Sequence, residues 1–138
     1  QFRQCLQKHG IAVSELPYQS ITGFLKGSID IVFQHQGQYF IADYKSNYLG
    51  HQLDNYQGSH LSDSMQSHGY NLQAAIYALA LHRWLASRLH DYQPQKHLGG
   101  VFYLYLRGMN PHGSEGIYHW QPSLSLLNEM SALLGDSV

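Results

Sequence analysis

Gly27-Ser-Ile-Asp-Ile-Val-Phe-Gln-His-Gln-Gly-Gln-Tyr-Phe-Ile-Ala-Asp-Tyr-Lys45 decides the fold. Between Gly23 and Phe33, Leu25, Ile29, Ile31 and Phe33 alternate with Lys26, Ser28 and Asp30, the period of a half-buried strand. Tyr39 to Lys45 reads as a second strand, with Phe40, Ala42 and Tyr44 on one face and Tyr39, Ile41, Asp43 and Lys45 on the other. His35-Gln-Gly-Gln38 between them carries a turn signal. A two-residue loop at Gln36-Gly37 makes His35 face Gln38, and counting outward sets Asp30 opposite Asp43. Such a pair has Cβ atoms roughly 4.5–5.5 Å apart. Lys45, two residues beyond Asp43, shares its face.

Facing carboxylates repel, and a sheet ordinarily avoids them. A divalent cation between them removes the conflict, and hard carboxylate oxygens suit Mg²⁺ or Mn²⁺. Such a metal polarises a phosphoryl oxygen and acidifies a bound water. A lysine beside it can orient or deprotonate that water and stabilise developing negative charge. Metal-assisted hydrolysis of a phosphodiester is the chemistry that results. The same residues also read as a surface hairpin with scattered charges, in which Lys45 simply pairs with Asp43.

Outward from the hairpin, Phe2, Cys5, Leu6 and His9 have the spacing of a short helix, and Ile11 to Thr22, with Pro17, is a connector. Ser46 to Gly69 is polar and poor in core residues; it holds either a short helix around His60 to Ser67 or a flap beside the site. Asn71 is a candidate N-cap for a long helix reaching about Leu89. That helix is apolar almost all round, through Leu72, Ala75, Ile76, Leu79, Ala80, Leu81, Trp84 and Leu85, and so is packed on more than one side. Gln73 and Tyr77 form a polar i, i+4 pair on it. They are either core groups bonded to backbone or the lining of a cleft that touches substrate. Gly99-Gly100 leads into Val101 to Leu106, a continuous apolar run expected of a central strand. Asn110 to Gly116 is a loop, Ile117 to Trp120 an edge strand, and Pro122 precedes a last helix through Leu124, Leu127, Met130 and Leu134. The order α, β, β, α, β, α predicts one α/β domain with a mixed sheet, a hairpin carrying the site, a long crossover helix and a C-terminal helix.

Composition narrows the function. The 138 residues hold 43% hydrophobic side chains and only 12% charged ones. With Lys+Arg 8 against Asp+Glu 9, the net charge of −1 excludes a domain that grips nucleic acid by bulk charge alone. A single cysteine, Cys5, excludes a disulfide framework and a multi-cysteine zinc site; it reads as a small packed residue. The longest apolar stretch, Ala74 to Leu81, is far too short for a membrane span. His51, His60 and His68 lack metal-ligand spacing and read as solvated loop residues; His82 and Arg83 are expected where the long helix meets solvent. Met65, Met109 and Met130 read as packing.

Gly27-Ser-Ile-Asp30, Ala42-Asp-Tyr-Lys-Ser-Asn47 and Gln73-x-x-x-Tyr77, in that order, resemble the PD-(D/E)xK nucleases, and within them the RecB-type nuclease domains. Gly23 to Phe33, Ala42 to Gly50, Leu79 to Arg83 and Gly99 to Gly108 carry most of the similarity, which spans about residues 23 to 134. The resemblance implies a restriction-endonuclease-like core and a Mg²⁺-dependent DNA exonuclease. Asp30, Asp43 and the Tyr44 backbone carbonyl would be metal ligands, Lys45 the catalytic lysine, and Gln73 and Tyr77 the motif that marks RecB-like members. It further implies DNA as substrate, a single strand fed by a helicase, other subunits of a RecBCD-type complex, a cytoplasmic setting, and work in double-strand break repair and recombination. The family's additional upstream acidic residue and histidine have only Glu15 and His9 as counterparts, so the chain is expected to start downstream of them and to bind metal weakly alone. No Gly-x-x-x-x-Gly-Lys-Ser/Thr loop is present, so ATP is not expected to bind this chain. Two rivals remain: an inactive nuclease-fold module used for docking, and a hydrolase of small phosphate esters, which would need a closed pocket.

Overall fold

The computed structural model describes residues 1–11 and 29–134. Glu15, Pro17, residues 23–28 of the expected first strand, and the side chains of Phe2 and Leu134 lie outside that description. The described elements are α1 (Phe2–Lys8), β1 (Ile31–His35), β2 (Gln38–Lys45), a 3₁₀ turn (Leu53–Tyr56), α2 (Gly58–Ser67), α3 (Tyr70–Arg88), α4 (Pro94–His97), β3 (Leu98–Tyr105), β4 (Ile117–Trp120) and α5 (Leu124–Leu134). The sheet order is β1-β2-β3-β4. The outer pairs are antiparallel and the central pair, β2 with β3, is parallel, which requires the long helical crossover between them.

The hairpin closes through Gln36 and Gly37, both at positive φ (51° and 80°), the backbone that a tight two-residue hairpin turn needs. His35 therefore pairs with Gln38 and Ile31 with Ala42, the register expected from the sequence. The helices cover the face that carries Ile41, Asp43 and Lys45. Ile41, together with Val101, Tyr103 and Tyr105 of β3, packs under Ala74, Tyr77, Ala78 and Leu81 of α3. Asp43 shares that inward face and is only 4% exposed, so it does not lie on a solvated polar face. Ile31 and Phe33 turn to the other face, and every residue of β1 is exposed. There Phe33 stacks on Phe40 at 5.1 Å between ring centroids, and Phe102 lies 4.5 Å from the His119 ring.

The polar segment Ser46 to Gly69 contributes core. Tyr56, Leu61 and Met65 are buried in the main cluster, and the Tyr56 hydroxyl receives the Leu49 N–H and donates to the Gly50 carbonyl. The long helix starts one residue before the expected cap. Gly69, at φ 69°, is its N-cap and Asn71 sits inside the first turn. Its second face, through Leu72, Ala75, Ile76 and Leu79, packs on Cys5, Leu6, Ile11, Leu126 and Met130 from α1, the residue-11 turn and α5. His82 and Arg83 do not simply reach solvent: His82 Nδ1 lies 2.7 Å from the Tyr92 hydroxyl, and Arg83 donates to the Ser131 carbonyl. The last helix uses Leu126, Leu127 and Met130 as its buried residues, whereas Leu124 stays 40% exposed. The central strand β3 is buried at Val101, Tyr103 and Tyr105, but Phe102 and Leu104 are only half-buried on the open face and Leu106 is exposed.

Gly99 is the extra residue where the β2–β3 register shifts between Tyr39 and Phe40, so the glycine pair marks a bulge. Gly100 has φ +106°, and a Cβ there would run into the Trp120 carbonyl oxygen. Gly100→Ala should therefore cost about 2 kcal/mol or more of stability. Denaturant unfolding should show a lower midpoint at unchanged slope.

Candidate active site

The site lies at the carboxyl end of β2, where strand, hairpin partner and helix converge. Asp30 sits in the bend before β1 and is exposed; its Oδ2 accepts the Tyr44 N–H at 3.0 Å. That bond ties the start of β1 to the segment bearing Asp43 and Lys45. Tyr44 points its ring to the opposite face, 44% exposed, so only its backbone belongs to the cluster.

Asp43 and Lys45 point inward as the strand period requires, and Lys45 Nζ lies 2.7 Å from Asp43 Oδ2. The pairing expected of a plain surface hairpin is thus present, but out of solvent: the two side chains are 14% (Lys45) and 6% (Asp43) exposed. Lys45 Nζ also donates to Gln73 Oε1 at 3.3 Å and sits 4.0 Å above the Tyr70 ring. An ammonium over an aromatic face gains electrostatic stabilisation, more so when desolvated. Gln73 is itself fixed: its Oε1 accepts the Tyr103 hydroxyl at 2.8 Å, and its Nε2 donates to the Tyr77 hydroxyl at 3.1 Å. Tyr103 also donates to the Tyr70 carbonyl. Gln73 and Tyr77 therefore join the hairpin cluster through side-chain bonds, with Gln73 touching the lysine directly.

Electrostatics follow from this packing. Burial pushes the Asp43 carboxyl above its ordinary range; the Lys45 ammonium opposes that, and the nearby Asp30 carboxylate reinforces it. The Tyr77 hydroxyl is raised by burial and then by the Asp43 and Asp30 carboxylates. Tyr103, deeply buried, is raised far above the ordinary phenol range for the same first reason. Both phenols thus stay protonated donors at neutral pH.

The donor set fits a hard divalent cation. Two carboxylates couple across the hairpin, and the buried Asp43 Oδ2 has the Lys45 ammonium at 2.7 Å as its counter-charge. One ammonium faces two carboxylates here, and a divalent cation between Asp30 and Asp43 would offset their mutual repulsion. His9 is not part of this group; it lies against Glu129 of α5. His51, His60 and His68 are exposed as expected, although His60 lies in α2 rather than in a loop.

Tyr70 and Tyr103 are the members that motif spacing did not reveal. Tyr103 stacks on Tyr70 at 5.8 Å, and the two rings form the wall around Lys45. The one signal for Tyr103 was its place in β3 level with Asp43, visible only once the parallel register is known.

The PD-(D/E)XK nuclease superfamily model matches residues 4–130 of this chain. The RecBCD enzyme subunit RecB of Escherichia coli (strain K12) is 45% identical over 121 residues, 85% of this chain and 10% of that protein. The RecB subunit of Haemophilus influenzae is 42% identical over 133 residues, 96% of this chain and 11% of that protein. The Mycobacterium tuberculosis (strain H37Rv) RecB is 40% identical over 124 residues, 84% of this chain and 11% of that protein. The chain therefore spans about a tenth of the length of these relatives. The family match and the RecB similarity run across the hairpin, the crossover helix and β3, and the chain belongs to the PD-(D/E)XK nuclease superfamily.

Proposed function

We propose that this chain is the nuclease domain of a RecBCD-type helicase–nuclease, hydrolysing DNA phosphodiesters with Mg²⁺ in cytoplasmic double-strand break repair and recombination. The observation that carries this reading is the buried Asp43–Lys45 pair, 2.7 Å apart, with Asp30 coupled to it across the hairpin. In this reading Asp30, Asp43 and the Tyr44 carbonyl hold the metal. A bound Mg²⁺ would polarise a phosphoryl oxygen and acidify a water. Lys45 holds its ammonium at the mouth of the carboxylate pair, where it orients the attacking water and stabilises negative charge on the phosphoryl oxygens. Gln73 acts on Lys45, fixing Nζ through Oε1 while Tyr77 and Tyr103 fix Gln73. The Tyr70 ring restrains the same ammonium from beneath.

The net charge of −1 suits a domain that receives a single strand from a motor subunit better than one that captures DNA alone. A docking module has no evident use for a second carboxylate beside a buried ion pair, because it adds repulsion to charges already desolvated. No helix among the described residues is long and apolar enough to cross a membrane.

Because Asp43 is buried against Lys45, Asp43→Asn, which keeps its shape, separates chemistry from folding better than truncation. In the full helicase–nuclease complex it should lower Mg²⁺-dependent DNA degradation by about 10²–10³-fold while the metal-free protein still melts cooperatively. Lys45→Gln should lower degradation comparably without moving the Mg²⁺ concentration needed for half-maximal rate. Normal degradation by either variant would remove it from the mechanism.

Gln73→Ala frees the lysine from one of its anchors. Degradation should fall about 10- to 100-fold, the scale of a misplaced catalytic group. The Mg²⁺ midpoint should stay put, and a shifted midpoint would make Gln73 part of the metal's surroundings instead.

A further inference from the structure

We propose that Cys5, His9 and Glu129 form a second metal site, for a thiophilic divalent transition ion of the Zn²⁺ class, joining α1 to α5. One ligand atom from each residue lies within 4.8 Å of the other two. Cys5 Sγ is 3.5 Å from Glu129 Oε2, and His9 Nε2 is 3.4 Å from Glu129 Oε1. A tetrahedral zinc with Zn–S of about 2.3 Å and Zn–N or Zn–O of about 2.0–2.1 Å has ligand-to-ligand edges of about 3.3–3.6 Å. The two distances to the Glu129 carboxylate lie in that range, and the thiol-to-imidazole separation is within 4.8 Å.

Two further observations point to a ligand. Cys5 is 6% exposed, and its side chain is aimed at the carboxylate. Among the described residues His9 Nε2 is occluded from solvent and meets the Glu129 carboxylate at 3.4 Å without hydrogen-bond geometry. The Glu129 carboxylate is thus a loose partner for the His9 nitrogen, and a metal would draw that nitrogen, the thiol and the carboxylate into one coordination shell. The ion pair between Lys8 Nζ and Glu129 Oε1, at 3.0 Å, competes for the same carboxylate oxygen, but Lys8 is 71% exposed. Such exposed pairs add little.

The donor chemistry separates this site from the hairpin. Sulfur and imidazole select a softer ion than carboxylates and a carbonyl do. The two groups also lie on opposite sides of α3. Gln73 and Tyr77 face the hairpin, whereas Leu72, Ala75, Ile76 and Leu79 pack toward α1 and α5. An open cleft of about 470 Å³ borders Cys5 and Glu129, giving water access to a fourth position. The bound ion would pin the two helices that cover the outer face of α3.

Cobalt(II) substitution tests this on the 138-residue chain, reduced and stripped of metal by chelator. Cys5 is the sole cysteine, so a thiolate-to-cobalt charge-transfer band can arise only at this site, whatever the 10 histidines bind. Titration with Co²⁺ should give that band together with tetrahedral ligand-field bands, saturating at one equivalent, and Zn²⁺ should bleach both. Cys5→Ser should abolish the charge-transfer band. Glu129→Gln, on a half-exposed residue that leaves the fold intact, and His9→Gln should each weaken Co²⁺ binding at least about 10-fold. Asp43→Asn should leave the spectrum unchanged. Absence of the band at saturating Co²⁺ overturns the proposal. So does saturation at half an equivalent, which would signal a metal bridging two chains, or unaltered affinity in both Glu129→Gln and His9→Gln.

Discussion

An ammonium and a carboxylate held out of water, Lys45 against Asp43 at 2.7 Å, set the terms for everything around them. Removing two charges from solvent costs several kcal/mol per ion, and their mutual attraction offsets that only when further contacts support both. Each neighbour can be read as such support. Gln73 accepts from the ammonium, Tyr70 lies beneath it, and Tyr103 and Tyr77 lock Gln73. Asp30 works in the other direction: it places a second carboxylate beside the first and keeps Asp43 reluctant to ionise. A fold optimised only for stability would discard that group. Its retention makes sense where a cation is meant to complete the cluster.

The support depends on α3 being held rigidly. The helix is buried on one side against β2 and β3 and on the other against α1 and α5. Gln73 and Tyr77 could not keep their hydrogen bonds if the helix rolled about its axis by even part of a turn. The outer helices therefore matter to the chemistry although they do not touch it. Their contact with α3 is mainly apolar, with the Arg83–Ser131 hydrogen bond as a directional link to α5, and the polar cluster of Cys5, His9 and Glu129 ties α1 to α5.

The hairpin register was legible because it needed only a two-residue turn and strict alternation, and Gly37 at φ 80° fulfils the first condition. The inward face was not legible. Ile31 and Phe33 are the more apolar set, so patterning alone turns them to the core, yet the larger buried area under α3 is supplied by β3 through Val101, Tyr103 and Tyr105. Parallel pairing with that strand decides which face of β2 is covered, and pairing across a crossover of some fifty residues leaves no local trace. The core role of Tyr56, Leu61 and Met65 was hidden for a related reason: single apolar residues in a polar stretch gain meaning only from what they meet. The carboxylates, lysine, glutamine and tyrosine of the site were legible as an ordered set of motifs, while the Tyr70 and Tyr103 wall around the ammonium required the fold.

The most direct test of the central claim is anomalous diffraction from crystals of this chain soaked in saturating Mn²⁺, a hard ion that stands in for Mg²⁺ and can be located unambiguously. A peak bound by Asp30, Asp43 and the Tyr44 carbonyl, with Lys45 still anchored on Gln73, is the predicted result. Ordered side chains of Asp30 and Asp43 with no manganese between them at saturation would contradict it.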